Sequence, residues 1–131
     1  SGTHDTEPLV VWWENAPAED RLAVGRLPTI RQVLSGASVA EAPCDPGARD
    51  GLLEALFASG SNLLLLTIQD VFGWPDRIND PATIDGGNWT FKLPWPCDRL
   101  DEVAEARERR DRLRAWALKH GRLETAAASV T

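Results

Sequence analysis

The chain has 131 residues, enough for one domain with its own core. Hydrophobic residues make up 43% and charged residues 26%, a balance that argues against wholesale disorder. Its 20 acidic and 14 basic residues leave a net charge of -6, which is repelled by phosphate backbones and argues against nucleic acid as a partner.

The first five residues, Ser1 to Asp5, set an imidazole beside a carboxylate after a turn-forming Ser-Gly-Thr. From Thr6 to Glu14 the apolar residues Leu9, Val10, Val11, Trp12 and Trp13 run together behind Pro8, which suits a first helical turn. This reads as a short buried helix, with a strand as the alternative that periodicity does not separate from it. "APAEDRLAVG" carries the start and stop signals of a second helix, ending at Gly25. "TIRQVLSG" predicts a third, with Thr29 as N-cap, Ile30, Val33 and Leu34 on one face, and Gly36 as the stop. Ala37 to Ala48 reads as a loop.

In "RDGLLEALFASGSNLLLLTIQD", Asp50 is expected to cap a helix carrying Leu52, Leu53, Leu56 and Phe57, with Gly60 ending it. Asn62 to Ile68 follows as a nearly continuous apolar run, the pattern of a strand buried in a parallel sheet. "QDVFGWPDRINDPATIDGGNWTFKLPWPCDRL" holds too many breakers for a long element and reads as a structured loop with a short strand at "NWTFKL". Asp98 to His120 predicts the clearest helix, capped by Asp98, stopped by Gly121, and braced by Glu105–Arg109 and Glu108–Arg112 pairs. Its arginines alternate with acids, the pattern of a solvated face. "ETAAASVT" reads as a frayed tail.

Cys44 and Cys97 lie far apart, and no Cys-x-x-Cys or His-rich spacing suggests a metal. Two unpaired thiols in a reducing cytosol are expected, with a disulfide left open by the sequence. No charged-then-apolar leader and no membrane-length apolar run is seen, so no membrane partner and a cytoplasmic location are expected. Six tryptophans are many for this length, and each is expected in the core unless a sugar face claims it. One convincing parallel strand cannot make a sheet. Either the chain is mainly helical, or the strand's neighbours lie upstream of Ser1.

"SGTHDTEPLVVWW" resembles the stretch around the third conserved carboxylate of 4-alpha-glucanotransferases, the amylomaltase or disproportionating enzymes. "IQDVFGWPDRINDPATIDGGNWTFKLPWP" is similar to the family's final segment: Gln69 and Asp70, then Arg77, Asn79 and Pro81 as Arg-x-Asn-x-Pro, then Asn88 and Trp89. The two matches stand in the family's order and span essentially the whole chain. The family usually has Gly after that Pro, where this chain has Ala82.

The resemblance implies an α/β fold: the C-terminal part of a (β/α)8 TIM-type barrel, with the last strand, flanking helices and a closing helix, helix-rich as an isolated chain. Residues 1–131 would form one C-terminal segment with no separate domain. Asp5 would be the third carboxylate, stabilising an oxocarbenium-like transition state, and His4 would hydrogen-bond a sugar hydroxyl. Without the resemblance, Asp5 reads as a helix N-cap and His4 as a surface residue. Gln69 and Asp70 would have structural or loop-positioning tasks. No acidic residue here matches the nucleophile or the acid/base, which belong to earlier strands. The whole enzyme would move α-1,4-glucan segments between malto-oligosaccharides with retention, using no metal or organic cofactor. Its partners would be the glucan and the upstream remainder of the barrel, and this chain alone would be inactive. The alternative is a stand-alone, non-catalytic module that binds glucan or another protein.

Overall fold

A computed structural model describes residues 2–34, 43–84 and 86–124. The chain divides into two units, Ser1–Lys92 and Leu93–Thr131, each considered by itself. The expected stop at Gly36, the first half of the Ala37–Ala48 loop and the tail beyond Glu124 lie outside the described residues.

Among its described residues the first unit holds five helices. Helix α1 spans Leu9–Asn15 with buried Pro8 at its cap, so the helical alternative holds for the first apolar run. Helix α2 spans Ala18–Gly25, with Glu19 and Asp20 in its first turn, where negative charge suits the helix dipole. Helix α3 spans Pro28–Val33 and starts earlier than Thr29 would allow: Leu27 holds the cap position. Proline's fixed φ is suited to a first helical residue, and that signal overrides the threonine.

The same correction applies to helix α4, Pro46–Phe57. Its cap is Asp45, whose carboxylate accepts the Ala48 N–H at 2.7 Å. Asp50 lies inside the helix and pairs with Arg49 at 2.9 Å. The Asp-Pro step is again the stronger start signal. Helix α5, Ile68–Phe72, stands where a loop was expected to begin. Thr67 caps it by accepting the Asp70 N–H at 3.3 Å.

The core gathers Trp13, Ile30, Leu52 and Ala55, with Leu9, Trp12, Val24, Leu34 and Cys44 packed around them. Trp13 and Leu53 are fully enclosed. Burial pushes the Cys44 thiol up to about 11, against a smaller opposing pull from Arg49, so this sulfur stays protonated and inert at neutral pH. Helices α3 and α4 meet where Gly51 faces Leu34: a Cβ on Gly51 would lie 2.3–2.6 Å from the leucine side chain. Both cysteines are free.

Among the described residues there is no β-strand. Asn62 to Thr67 runs without a helix or a ladder, and its leucines alternate: Leu63 and Leu65 are 73% and 71% exposed, while Leu64 and Leu66 are half-buried. A ladder needs a second chain segment to receive its N–H and C=O groups, and none of the described residues supplies one. The short strand expected at "NWTFKL" is also absent: Asn88 and Trp89 lie in a turn and the following residues are irregular.

In the second unit a 3₁₀ turn, Cys97–Glu102, leads into helix α6, Ala104–Lys119. Asp98 belongs to the 3₁₀ turn, so the expected single helix from Asp98 is two pieces, with Val103 as the cap of α6. Arg112 pairs with Glu108 at 2.8 Å, as the spacing predicts, and Gly121, at φ 67°, ends the helix. The Arg109 guanidinium lies over the Trp116 ring at 5.9 Å. Among the described residues no helix is long and apolar enough to cross a membrane.

Candidate functional site

Thr3 and Thr6 tie the start of the chain into one turn. The Thr6 N–H donates to the Thr3 carbonyl at 3.2 Å, and Thr6 Oγ1 both accepts the Thr3 N–H at 2.7 Å and donates to the Thr3 carbonyl at 2.8 Å. The Asp5 N–H donates to Thr3 Oγ1 at 3.3 Å. His4 and Asp5 occupy the two corner positions and project from the turn about half exposed. Gly2 is required by this closure, because a Cβ there would lie 1.8 Å from Thr6 Oγ1.

The second half of the site comes from the segment after α5. Asn79 Nδ2 donates to Asp5 Oδ1 at 2.7 Å, and the Asn79 N–H donates to the His4 carbonyl at 3.2 Å. Arg77 Nη2 donates to the Asp5 carbonyl at 2.9 Å, while its Nε donates to the Asn79 carbonyl at 3.0 Å. The turn is thus held at both its backbone and its carboxylate by residues more than 70 positions away. Asp5 Oδ2 remains 3.4 Å from His4 Nε2. One carboxylate oxygen is fixed and the other faces the imidazole.

Asn88 organises the loop behind this contact. Its Oδ1 accepts the Asp80 N–H at 2.9 Å, and its Nδ2 donates to Thr83 Oγ1 at 3.0 Å. The Trp89 N–H donates to the Ile78 carbonyl at 2.8 Å, which brings the indole 4.9 Å from the His4 ring at a 42° tilt. Two residues of this loop, Ala82 at φ 63° and Trp89 at φ 62°, hold left-handed backbone that side chains disfavour.

Beneath the turn, Asp70 is 3% exposed and its Oδ1 accepts the Leu9 N–H at 2.7 Å, capping α1 from 61 residues away. Gln69 beside it is buried, and neither of its amide atoms has a hydrogen-bond partner among the described residues. A cleft of about 480 Å³ adjoins the turn, lined by Gly2, Thr6, Glu7, Leu9, Trp12, Asp70 and Arg77. Among the described residues no group of three or more His, Cys, Asp or Glu could hold a metal ion.

The two residues singled out for site roles, His4 and Asp5, therefore sit together. Arg77, Asn79, Asn88 and Trp89, read in the sequence only as motif positions, join them. Their motif spacing was visible, but which of them would touch Asp5 was not. Chemically, the cluster offers a carboxylate with a fixed orientation, an imidazole beside it and an indole face next to the imidazole. That combination suits hydroxyl binding and the stabilisation of nearby positive charge.

The family model for 4-alpha-glucanotransferase matches residues 1–98. The chain is 31% identical over 120 residues, 88% of its length, to the chloroplastic/amyloplastic 4-alpha-glucanotransferase of Solanum tuberosum, of which it covers 18%. It is 29% identical over 96 residues to the chloroplastic/amyloplastic 4-alpha-glucanotransferase DPE1 of Oryza sativa subsp. japonica, matching 72% of this chain and 14% of that protein. With the chloroplastic/amyloplastic DPE1 of Arabidopsis thaliana the figures are 27% over 128 residues, 94% of this chain and 19% of the relative. The chain spans less than a fifth of the length of these relatives. No solved structure matches it significantly. The cytoplasmic location expected when no leader or membrane-length apolar run is seen is overturned: all three relatives are named as chloroplastic/amyloplastic proteins. Free thiols and the lack of an evident leader are no guide to compartment.

Proposed function

Because this chain belongs to the 4-alpha-glucanotransferase family, whose model covers its residues 1–98, we propose that it is one C-terminal segment of a (β/α)8 catalytic barrel. That barrel moves α-1,4-glucan segments between malto-oligosaccharides with retention. Asp5 is the carboxylate that steadies the oxocarbenium-like transition state, and His4 binds a neighbouring sugar hydroxyl. The observation that carries this reading is the hydrogen bond from Asn79 to Asp5, spanning 74 residues: two motifs far apart in sequence converge on one carboxylate.

Retaining transfer needs a nucleophilic carboxylate and an acid/base roughly 5 Å apart. Neither has a matching residue in this chain, so both come from upstream strands and the isolated chain is inactive. The exposed Leu63 and Leu65 support the barrel reading, since an apolar extended segment of this kind pairs with strands from elsewhere. In that barrel Asp5 would follow the end of a strand, where barrel enzymes keep their chemistry. The chemistry calls for no metal or organic cofactor.

The test is transfer from maltotriose by the natural protein and its Asp5→Asn variant. The variant keeps the Asn79 contact and loses the charge. Turnover is expected to fall by about 10³-fold or more, with the melting temperature unchanged within a few degrees. Near-normal transfer by the variant would remove Asp5 from the chemistry.

A further inference from the structure

Trp89 departs from its fellow tryptophans in three ways. Trp13 and Trp116 are buried, and Trp12, Trp74 and Trp95 are half-buried, but Trp89 is 64% exposed. Its backbone is held at φ 62°, a conformation that favours glycine. Its ring lies 4.9 Å from the imidazole of His4, itself adjacent to Asp5.

The first two features work against stability. A large apolar surface is left in water, and a disfavoured backbone is maintained by the Trp89 N–H bond to Ile78 and the Asn88 bridges to Asp80 and Thr83. A loop that spends hydrogen bonds to keep an indole in the open, beside a charged site, presents a binding surface. A flat apolar ring with a polar neighbour matches the C–H face of a pyranose, whose hydroxyls project around the ring edge within reach of an imidazole and a carboxylate.

We infer that Trp89 is a glucan-stacking residue, whose exposed indole face carries the glucose unit next to the one addressed by His4 and Asp5. This rests on the transferase reading above and adds to it a determinant of glucan affinity. The ring acts by binding and takes no part in bond making, so its loss falls on KM.

The experiment compares steady-state transfer from maltotriose and from maltoheptaose by the natural protein, Trp89→Ala and Trp89→Phe, with thermal melts of each. Trp89→Ala is expected to raise KM about 3- to 12-fold while kcat changes less than about threefold. Trp89→Phe recovers most of the affinity, because a ring remains, and all three proteins melt within a few degrees of one another. An unchanged KM in a folded Trp89→Ala variant overturns the inference and leaves the transferase reading intact. Loss of the melting transition in Trp89→Ala overturns it as well, since the ring would then be a packing element. Absence of transfer in the natural protein is the separate outcome that sinks the transferase reading itself, and this inference with it.

Discussion

Ala82 sits at φ 63°, in the one place where this chain departs from the motif it otherwise follows. The left-handed backbone lies in the loop that turns back so that Asn88 reaches Asp80 and Thr83, and it suits the Gly that the family resemblance implies at this position. Alanine adopts that conformation at a cost of about 1–2 kcal/mol, part of which glycine returns as lost chain entropy. Ala82→Gly is therefore expected to stabilise the protein by about 0.5–1 kcal/mol, read as a higher urea midpoint at constant m-value. A midpoint that stays put or falls would mean that the loop is not strained at Ala82. At this scale the sequence was informative about identities and silent about contacts. The His4–Asp5 pair and Arg77, Asn79 and Trp89 could all be named from their motifs. That Asn79 grips Asp5, or that Trp89 stands open to solvent, depends on folding distances that no local pattern encodes.

The helices show where local signals suffice and where they compete. Start and stop signals place α2 closely, while the apolar run leaves α1 open between helix and strand, and Thr29 and Asp50 are not the caps of α3 and α4, because a proline nearby supplies the stronger start. The strands failed for a different reason. An apolar run such as Asn62 to Ile68 has the composition of a strand, yet strand formation depends on a partner, whereas a helix satisfies its own backbone. Local pattern still shows through in the alternating exposure of Leu63 to Leu66. The contact between α3 and α4 is the tightest test of this packing. Gly51→Ala forces a methyl group to within 2.3–2.6 Å of the Leu34 side chain. A loss of about 1–3 kcal/mol is expected, measured by chemical denaturation. Adding Leu34→Ala should recover part of it, because the two changes share one site. Purely additive losses would show that the helices do not meet there.

At the scale of the whole molecule, the proposed transfer chemistry needs residues that have no match in this chain. Under the proposed transferase reading, the cluster around Asp5 supplies one oriented carboxylate, and retaining transfer needs a nucleophile and an acid/base as well. The chain also covers less than a fifth of the relatives it resembles. Leu63, Leu65 and Trp89 expose apolar surface, which under the same reading neighbouring strands or substrate would cover. The most direct measurement is the intact mass of the protein as its host produces it. A mass several times 14.4 kDa is expected, with the catalytic pair upstream of the His4–Asp5 turn. A mass near 14.4 kDa would leave Asp5 without its catalytic partners in the same chain and contradict the transferase reading.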